Sequence, residues 1–258
     1  MLSPLEQLLR PAVAAALPPG QDLRTGPAAA PDGTASRVAI HALRLVRDAP
    51  SGPDDLATRD AAFLGWQGGL IATPGHPLDF TLPADAVGDL TEVHCPPGRV
   101  LAAGDAYVLD GRTLRFFQEP RGPVLARTRG APCTGYQERC NGRIELELRA
   151  WARDMDTADD LLARSLAASL AAFAGLDVID LSSAPPRLAL RFTHPRVSLA
   201  GIERDLDPDA RDWPRSVALC QIRGELETSL TLGAPDPQGR IRQVDVAVHL
   251  PSRPPVGG

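Results

Sequence analysis

The chain has 258 residues and a formal net charge of −5, and it is long enough to bury one large hydrophobic core or two smaller ones. All 27 basic residues are arginine, which excludes a Schiff-base lysine and the phosphate-binding lysine of a P-loop. The acidic balance argues against a general nucleic-acid binder, which concentrates basic residues on one face. We therefore expect no specific nucleic-acid ligand.

The first predicted element is a helix with Ser3 as its N-cap, Pro4 in its first turn and Glu6 placed for a capping box. Pro18-Pro19-Gly20 predicts its end. From Arg37 to Arg47 the apolar residues alternate but slip by one position, which predicts a strand with a bulge. The apolar positions of the helix are Leu5, Leu8, Leu9, Ala12, Val13 and Ala16.

Residues 49–136 contain short apolar runs separated by glycine and proline, a pattern typical of a small β-rich module. The clearest element is a hairpin around Asp110-Gly111, a dipeptide that permits positive φ and matches the twist of paired strands. Tyr107 and Leu109 alternate with polar residues before it, and Leu114 and Phe116 do so after it. We interpret the whole segment as an insertion into a more regular unit.

That unit continues with Arg143–Trp151, where Ile144, Leu146, Leu148 and Ala150 alternate with charged residues. This alternation predicts a strand with one buried face. Asp156 or Thr157 is then predicted to cap a helix that ends at Gly175. Its first turn holds acidic residues, and its apolar positions are Leu162, Leu166, Leu170 and Phe173.

The remaining elements are predicted to be strands. Alternation at Leu188, Leu190 and Phe192 predicts one strand, and the polar stretch Glu203–Asp212 predicts a loop. Two longer strands, Val217–Leu232 and Gln243–Leu250, are predicted to pair as a hairpin.

These elements predict an α+β fold, an antiparallel sheet with two helices on one face plus an inserted small β-rich module. The core comprises residues 1–48 and 137–250, the inserted module residues 49–136, and a flexible tail residues 251–258.

The sequence contains no sharp catalytic motif, and we expect no enzymatic activity. The five histidines are isolated from one another, and G-x-S-x-G is missing. Asp154, Asp156, Asp159 and Asp160 lack the glycine and final glutamate of an EF-hand, so they are read as helix-start residues. Neither a cofactor nor a metal ion is expected.

Cysteine usage and the first residues indicate the compartment. Cys95, Cys133, Cys140 and Cys220 contain no C-x-x-C, and their spacing, even with His94, matches no standard zinc site. The start of the chain lacks the pattern of an export signal, and no stretch reaches the apolar length of a membrane span. We expect no membrane partner and a cytoplasmic location during assembly.

Two phrases carry a resemblance to a known family. The hairpin phrase G-D-A-Y-V-L-D-G-R-T-L-R-F resembles one common in phage tail proteins. The phrase R-I-E-L-E-L-R-A-W-A-R-D-M-D-T-A-D-D-L, with the N-terminal helix and the sheet, resembles the tail terminator (cap) class of phage-like contractile tails and injection systems. The likeness covers Leu2–Arg47 and Arg143–Leu250, and the insertion departs from minimal terminators.

The resemblance implies a hexameric ring of identical subunits that ends the tail tube and anchors the last layer of sheath protein. The long strand 217–232 could present an unpaired edge that a neighbouring copy completes. The region Arg112–Arg153 is locally basic and could touch nucleic acid, but we expect its partner to be an acidic patch on a neighbouring copy, such as the aspartates between 154 and 160. The predicted subunit interface comprises Glu145, Glu147, Arg149, Asp159, Asp160, Glu225 and Glu227.

Alternatives remain open at this level. A baseplate or neck subunit of the same kind of particle would share these features, and the sequence does not distinguish a phage from a gene-transfer particle or an injection system. The β-rich module could instead bind a glycan or another surface ligand.

Overall fold

The computed structural model of the protein describes residues 2–48, 58–60, 66–86, 88–129, 134–182, 188–210 and 212–233. In these residues the protein is a mixed α+β structure, which confirms the predicted fold class. The predicted strand 243–250 and the tail 251–258 lie outside the described residues.

The helices are α1 (Ser3–Ala16) and α2 (Met155–Phe173). The strands are β1 (Asp22–Thr25), β2 (Arg37–Arg47), β3 (Thr58–Asp60), β4 (Gln67–Leu70), β5 (Ala72–Thr73), β6 (His76–Thr81), β7 (Asp89–His94), β8 (Tyr107–Asp110), β9 (Thr113–Phe116), β10 (Val124–Arg129), β11 (Thr134–Trp151), β12 (Val178–Asp180), β13 (Leu188–Leu206) and β14 (Pro214–Gly233).

One large sheet has the strand order β1-β2-β11-β14-β13-β12. Its pairs are antiparallel except β1 with β2, which run parallel, so the expectation of a purely antiparallel sheet is wrong at this border. The strand β3 lies within the predicted insertion but pairs with β11 of the large sheet. The insertion therefore contributes one strand to the main sheet.

The main core lies between this sheet and the two helices, which also contact each other. The predicted alternation in β11 is confirmed, because Ile144, Leu146, Leu148 and Ala150 are all fully buried. The predicted bulge in β2 is also confirmed: Arg44 pairs with Glu145 and Ala42 with Leu146, which leaves Leu43 as the extra residue.

Both helices begin differently from the prediction. The N-cap of α1 is Leu2, without a side-chain hydrogen bond, and Ser3 lies inside the helix. Instead of closing a capping box, the buried carboxylate of Glu6 accepts a hydrogen bond of 2.9 Å from the Ala42 backbone N–H. Helix α2 is capped by Asp154, not by Asp156 or Thr157, and its carboxylate accepts the Thr157 N–H at 2.8 Å.

The insertion has a hydrophobic core of its own. Two small sheets, β4-β10-β7 and β5-β6-β9-β8, enclose buried residues that include Phe80, Tyr107, Leu114 and Phe116. The predicted hairpin is formed by β8 and β9, with Asp110 paired to Thr113. The two turn residues are Gly111 and Arg112, one position later than predicted, and Gly111 has φ +60.

The end of the sheet differs most from the prediction. Strand β13 continues to Leu206, so the predicted loop 203–212 begins only after that residue. Strand β14 confirms the long predicted strand, but it pairs with β11 on one side and with β13 on the other. The prediction that this strand presents an unpaired edge is therefore wrong.

Of the described glycines, Gly224 leaves the least room for a side chain: a Cβ atom there would lie 2.5 Å from the Thr193 carbonyl oxygen and 2.7 Å from the Phe192 ring. We expect Gly224→Ala to lower the free energy of unfolding by about 1–3 kcal/mol through overpacking. Gly201→Ala is the control, because its Cβ meets nothing within 4 Å. Urea unfolding of both variants measures the difference, and equal stabilities would contradict this account.

Candidate assembly interface

Among the described residues, the outer edge of β13 has no partner strand over much of its length. Strand β12 pairs only with residues 191–193, and no described strand pairs with the outer side of β13 from Arg196 to Leu206. An unpaired strand edge presents a row of backbone N–H and C=O groups to any strand that can approach it. The candidate interface of this protein is therefore this stretch, called the β13 edge below.

The chain starts the β13 edge with a local irregularity. His194 has φ +51 and donates its N–H to the Asp177 carbonyl at 2.7 Å, and the register with β14 shifts between Thr193 and Arg196. His194 and Pro195 together lie opposite the single residue Gly224 of β14, and proline provides no N–H for a ladder. This bulge ends the pairing with β12.

The insertion closes the neighbouring edge but not this one. The Gly98 carbonyl accepts the N–H groups of Asp177 at 2.8 Å and Val178 at 2.9 Å, so the outer side of β12 already has partners. The side chain of Asp177 in turn accepts the Val100 N–H at 2.9 Å. The border of the sheet thus changes from a covered edge to an open one at His194.

Three large apolar side chains on the β13 edge are exposed: Leu199 (46%), Ile202 (53%) and Leu206 (56%). Leu199 pairs with Cys220 and Ile202 with Ala218, and both partners belong to the core under the helices. Paired residues share a face of the sheet, so Leu199 and Ile202 lie on the helix-bearing side, at its margin. The β13 edge therefore combines free backbone groups with an apolar margin.

A buried carboxylate fixes the far end of the β13 edge. Asp207 accepts a hydrogen bond of 2.7 Å from Trp151 Nε1 and one of 3.0 Å from the Asp209 N–H, and Arg215 lies 3.9 Å away. Burial alone would raise the pKa of Asp207, but these donors and the Arg215 charge together lower it below its ordinary 3.8. The ionised carboxylate thus holds the turn that follows Leu206.

Because the pKa of Asp207 is lower in the folded than in the unfolded protein, its contribution to stability is present above pH 3.8 and is lost as the pH falls through the folded value. We expect Asp207→Asn to lower the free energy of unfolding near neutral pH by about 1–3 kcal/mol, and this deficit to shrink in acid. Urea unfolding from pH 7 to pH 2 measures it, with exposed Asp212→Asn as the control. A deficit that is constant with pH would contradict the assignment.

A second charged feature joins the insertion to the sheet. Arg191 is 4% exposed and donates to Glu92 of β7, and one of these hydrogen bonds measures 3.1 Å. Glu227 is 5% exposed and lies 3.4 Å from Arg127, 3.2 Å from Arg139 and 3.7 Å from Arg191. We call these five residues the junction cluster. Since each buried charge has an opposite charge nearby, the cluster fastens the insertion onto the outer face of the sheet.

A cavity of about 120 Å³ lies beside the junction cluster. Its polar lining includes Gln67, Glu92, His94, Arg127, Asp180 and Arg191. The His94 ring nitrogen lies 2.9 Å from Glu92, and Gln67 donates to Asp180 at 3.1 Å. The lining groups therefore largely pair with one another across the junction.

Removing Arg191 would leave two carboxylates short of a partner. We expect Arg191→Met to lower the free energy of unfolding by on the order of 3 kcal/mol, and Arg191→Met with Glu227→Leu to cost less than the sum of the two single changes. Arg115→Met, which breaks an exposed pair with Asp79, should change stability little. Urea unfolding measures these stability losses. A double variant that loses as much stability as the two single variants together would contradict the coupling between Arg191 and Glu227.

The predicted interface residues on the strands have partners within the chain. Glu145 accepts two hydrogen bonds from Arg44, at 2.7 and 2.9 Å, and this contact lowers the pKa of Glu145. Glu147 contacts Arg149, and Glu225 lies 3.9 Å from Arg139. Glu227 belongs to the junction cluster and is buried inside the chain. A subunit contact at these positions stays a prediction.

The two predicted interface residues on α2 lie at its first turns. Asp159 accepts the Ser216 hydroxyl at 2.5 Å and contacts Arg204 of the β13 edge. Asp160 pairs with Arg164 one turn later at 2.8 Å. Of the predicted set, Asp159 is thus directly connected to the β13 edge. Sequence reasoning missed the edge itself, although Thr193-His194-Pro195 interrupts the alternation where it begins.

The structure also places the candidate metal and catalytic residues. Cys95 and Cys220 are buried and Cys140 is half-buried, all as free thiols, and burial raises the pKa of each, that of Cys220 to about 11. Cys133 lies outside the described residues. Within the described ranges, no three His, Cys, Asp or Glu side chains come together in a way that could hold a metal ion.

No family model matches the chain, and no curated protein matches it in sequence. Neither helix in the described part of the chain is long and apolar enough to cross a membrane.

Proposed function

We propose that this protein is a structural subunit that assembles into a ring and caps the tube of a phage-like contractile tail or injection particle. The single observation that supports this most is the β13 edge. A second copy that adds a strand there would pair the open backbone groups and cover the apolar margin formed by Leu199, Ile202 and Leu206.

The position of the edge favours a ring over a closed pair. The β13 edge lies at one border of the sheet, and the other border is formed by β1 and β2. If the β13 edge of one copy binds a different surface of the next copy, the β13 edge of that next copy stays free to bind a third. Repeating this head-to-tail contact closes into a ring. Pairing of two β13 edges with each other would stop at a dimer.

The insertion supports a peripheral role in such a ring. It has its own core and is fastened through the junction cluster to the end of β13 opposite Leu206. A neighbour can therefore reach the β13 edge without displacing the insertion. This leaves the two small sheets available for the sheath protein or for other parts of the particle.

The proposal predicts that assembly depends on the β13 edge. We expect Ile202→Lys to abolish ring formation, because it places a charge in the apolar contact, while the subunit stays folded since Ile202 is 53% exposed. Ile71→Lys is the matched control, at an apolar residue of the insertion that is 87% exposed, and should still form rings. Light scattering and electron microscopy of the purified variants measure both.

Position in the particle tests the function itself. With tube and sheath proteins co-expressed, we expect gold-labelled subunits in electron micrographs at the end of the tube only. Labelling along the whole tube, or only at the spike end, would show a tube or baseplate protein instead. A protein that remains monomeric under all assembly conditions would also contradict the proposal.

A further inference from the structure

Strand β14, which the sequence suggests as the partner of the predicted strand Gln243–Leu250, already has two neighbours. Both sides of β14 are occupied, by β11 and by β13, up to Leu230 or beyond. A hairpin of residues 243–250 with β14 would have to displace one of these strands. The segment keeps its alternation of Val244, Val246, Val248 and Leu250, which is typical of a strand with one buried face.

We propose that residues 243–250 of one copy pair with the β13 edge of the neighbouring copy, so that each subunit donates its C-terminal strand to the next. This rests on the proposed ring and names its contact. Eight residues of extended chain cover about 27 Å, which fits within the Arg196–Leu206 stretch. The apolar face of the donated strand would lie against Leu199, Ile202 and Leu206, the exposed margin of the edge.

The reach of the chain argues for a neighbour as the recipient. Register with β14 places Arg196 opposite Arg223 and Leu206 opposite Pro214. Pro214, and with it Leu206, therefore lies about 63 Å along the sheet from Gly233, where β14 ends, at roughly 3.3 Å per residue. The ten-residue step to Gln243 spans about 35 Å at most. An antiparallel strand therefore cannot form on the edge of the same copy.

A parallel strand on the same copy is also disfavoured by length. It would begin beside Arg196, about 33 Å along the sheet from Gly233 and two strand spacings to the side. The connection would be fully stretched, although it contains Pro235, Pro237 and Gly239 and would have to pass the insertion at β12. A neighbour in a ring removes this constraint, because its edge can approach the end of β14.

Donation in this form is head-to-tail. The donor uses its C-terminal segment and the recipient uses its β13 edge, so every copy in a closed ring both gives and receives a strand. Main-chain hydrogen bonds would supply affinity, and the alternating valines would supply the register.

Truncation after Arg242 tests the proposal. We expect the chain 1–242 to stay folded, with a cooperative thermal transition, but to remain monomeric by light scattering, while the chain 1–250 still forms rings. Rings formed by the chain 1–242 would overturn the donated strand and leave the ring function standing. If only chains that contain residues 243–250 form rings, but these rings do not bind tube ends, the proposed function is overturned and the donated strand stands.

Cross-linking distinguishes donation to a neighbour from pairing within one copy. Ile202→Cys is combined in turn with Val244→Cys, Val246→Cys and Val248→Cys, so that one register brings the thiols together, and each single variant is the control. Under mild oxidation we expect a ladder of covalent multimers on a non-reducing gel from at least one double variant. Intramolecular cross-linking, or no cross-link from any double variant beyond the single variants, would overturn the proposal.

Discussion

The pairing of β11 with β14 is the constraint on which the rest of the structure depends. The ladder runs from Thr134 opposite Gly233 to Trp151 opposite Arg215, and along its core-forming part both residues of every second pair, such as Ile144 and Ile222, lie on the helix side. Because a slip of one residue would turn Ile144 and its alternating neighbours away from the helices, the buried face holds the register in place. Both central strands are then enclosed by other strands, and open edges can arise only at the borders of the sheet.

The junction cluster follows from the same register. Glu227 and Arg191 are paired across β14 and β13 on the face opposite the helices, where the insertion covers them. A carboxylate buried there is stable only because three arginines surround it: Arg191 and Arg139 from the neighbouring strands β13 and β11, and Arg127 from β10 of the insertion. Ion pairs thus join the insertion to the large sheet, whereas their apolar cores are separate.

Local patterns predicted the elements well, and long-range contacts account for what they missed. The alternation in β11, the bulge in β2 and the turn at Gly111 all depend on residues close in sequence. The partner of Glu6 is Ala42, and β14 is flanked by β13 where the sequence suggested a following hairpin. The Glu6–Ala42 contact and the β13–β14 pairing could not be derived from the spacing of residues in the sequence, because strand order depends on which apolar faces meet in space. For the same reason, the sequence did not show that most of the predicted interface carboxylates pair with arginines of their own chain.

An open strand edge is a hazard for any β protein, and this one is only partly guarded. Pro195 and the bulge at His194 mark its start, a second irregularity follows Leu199, and the charged residues Glu203 and Arg204 come directly after Ile202. Bulges and charges discourage indiscriminate edge-to-edge pairing, since they spoil a flat, uniformly apolar ladder. The three exposed apolar residues work against that protection, so the β13 edge suits a strand whose shape accommodates the irregularities. A specific contact between identical subunits requires such an edge, one that accepts a single matching strand and rejects others.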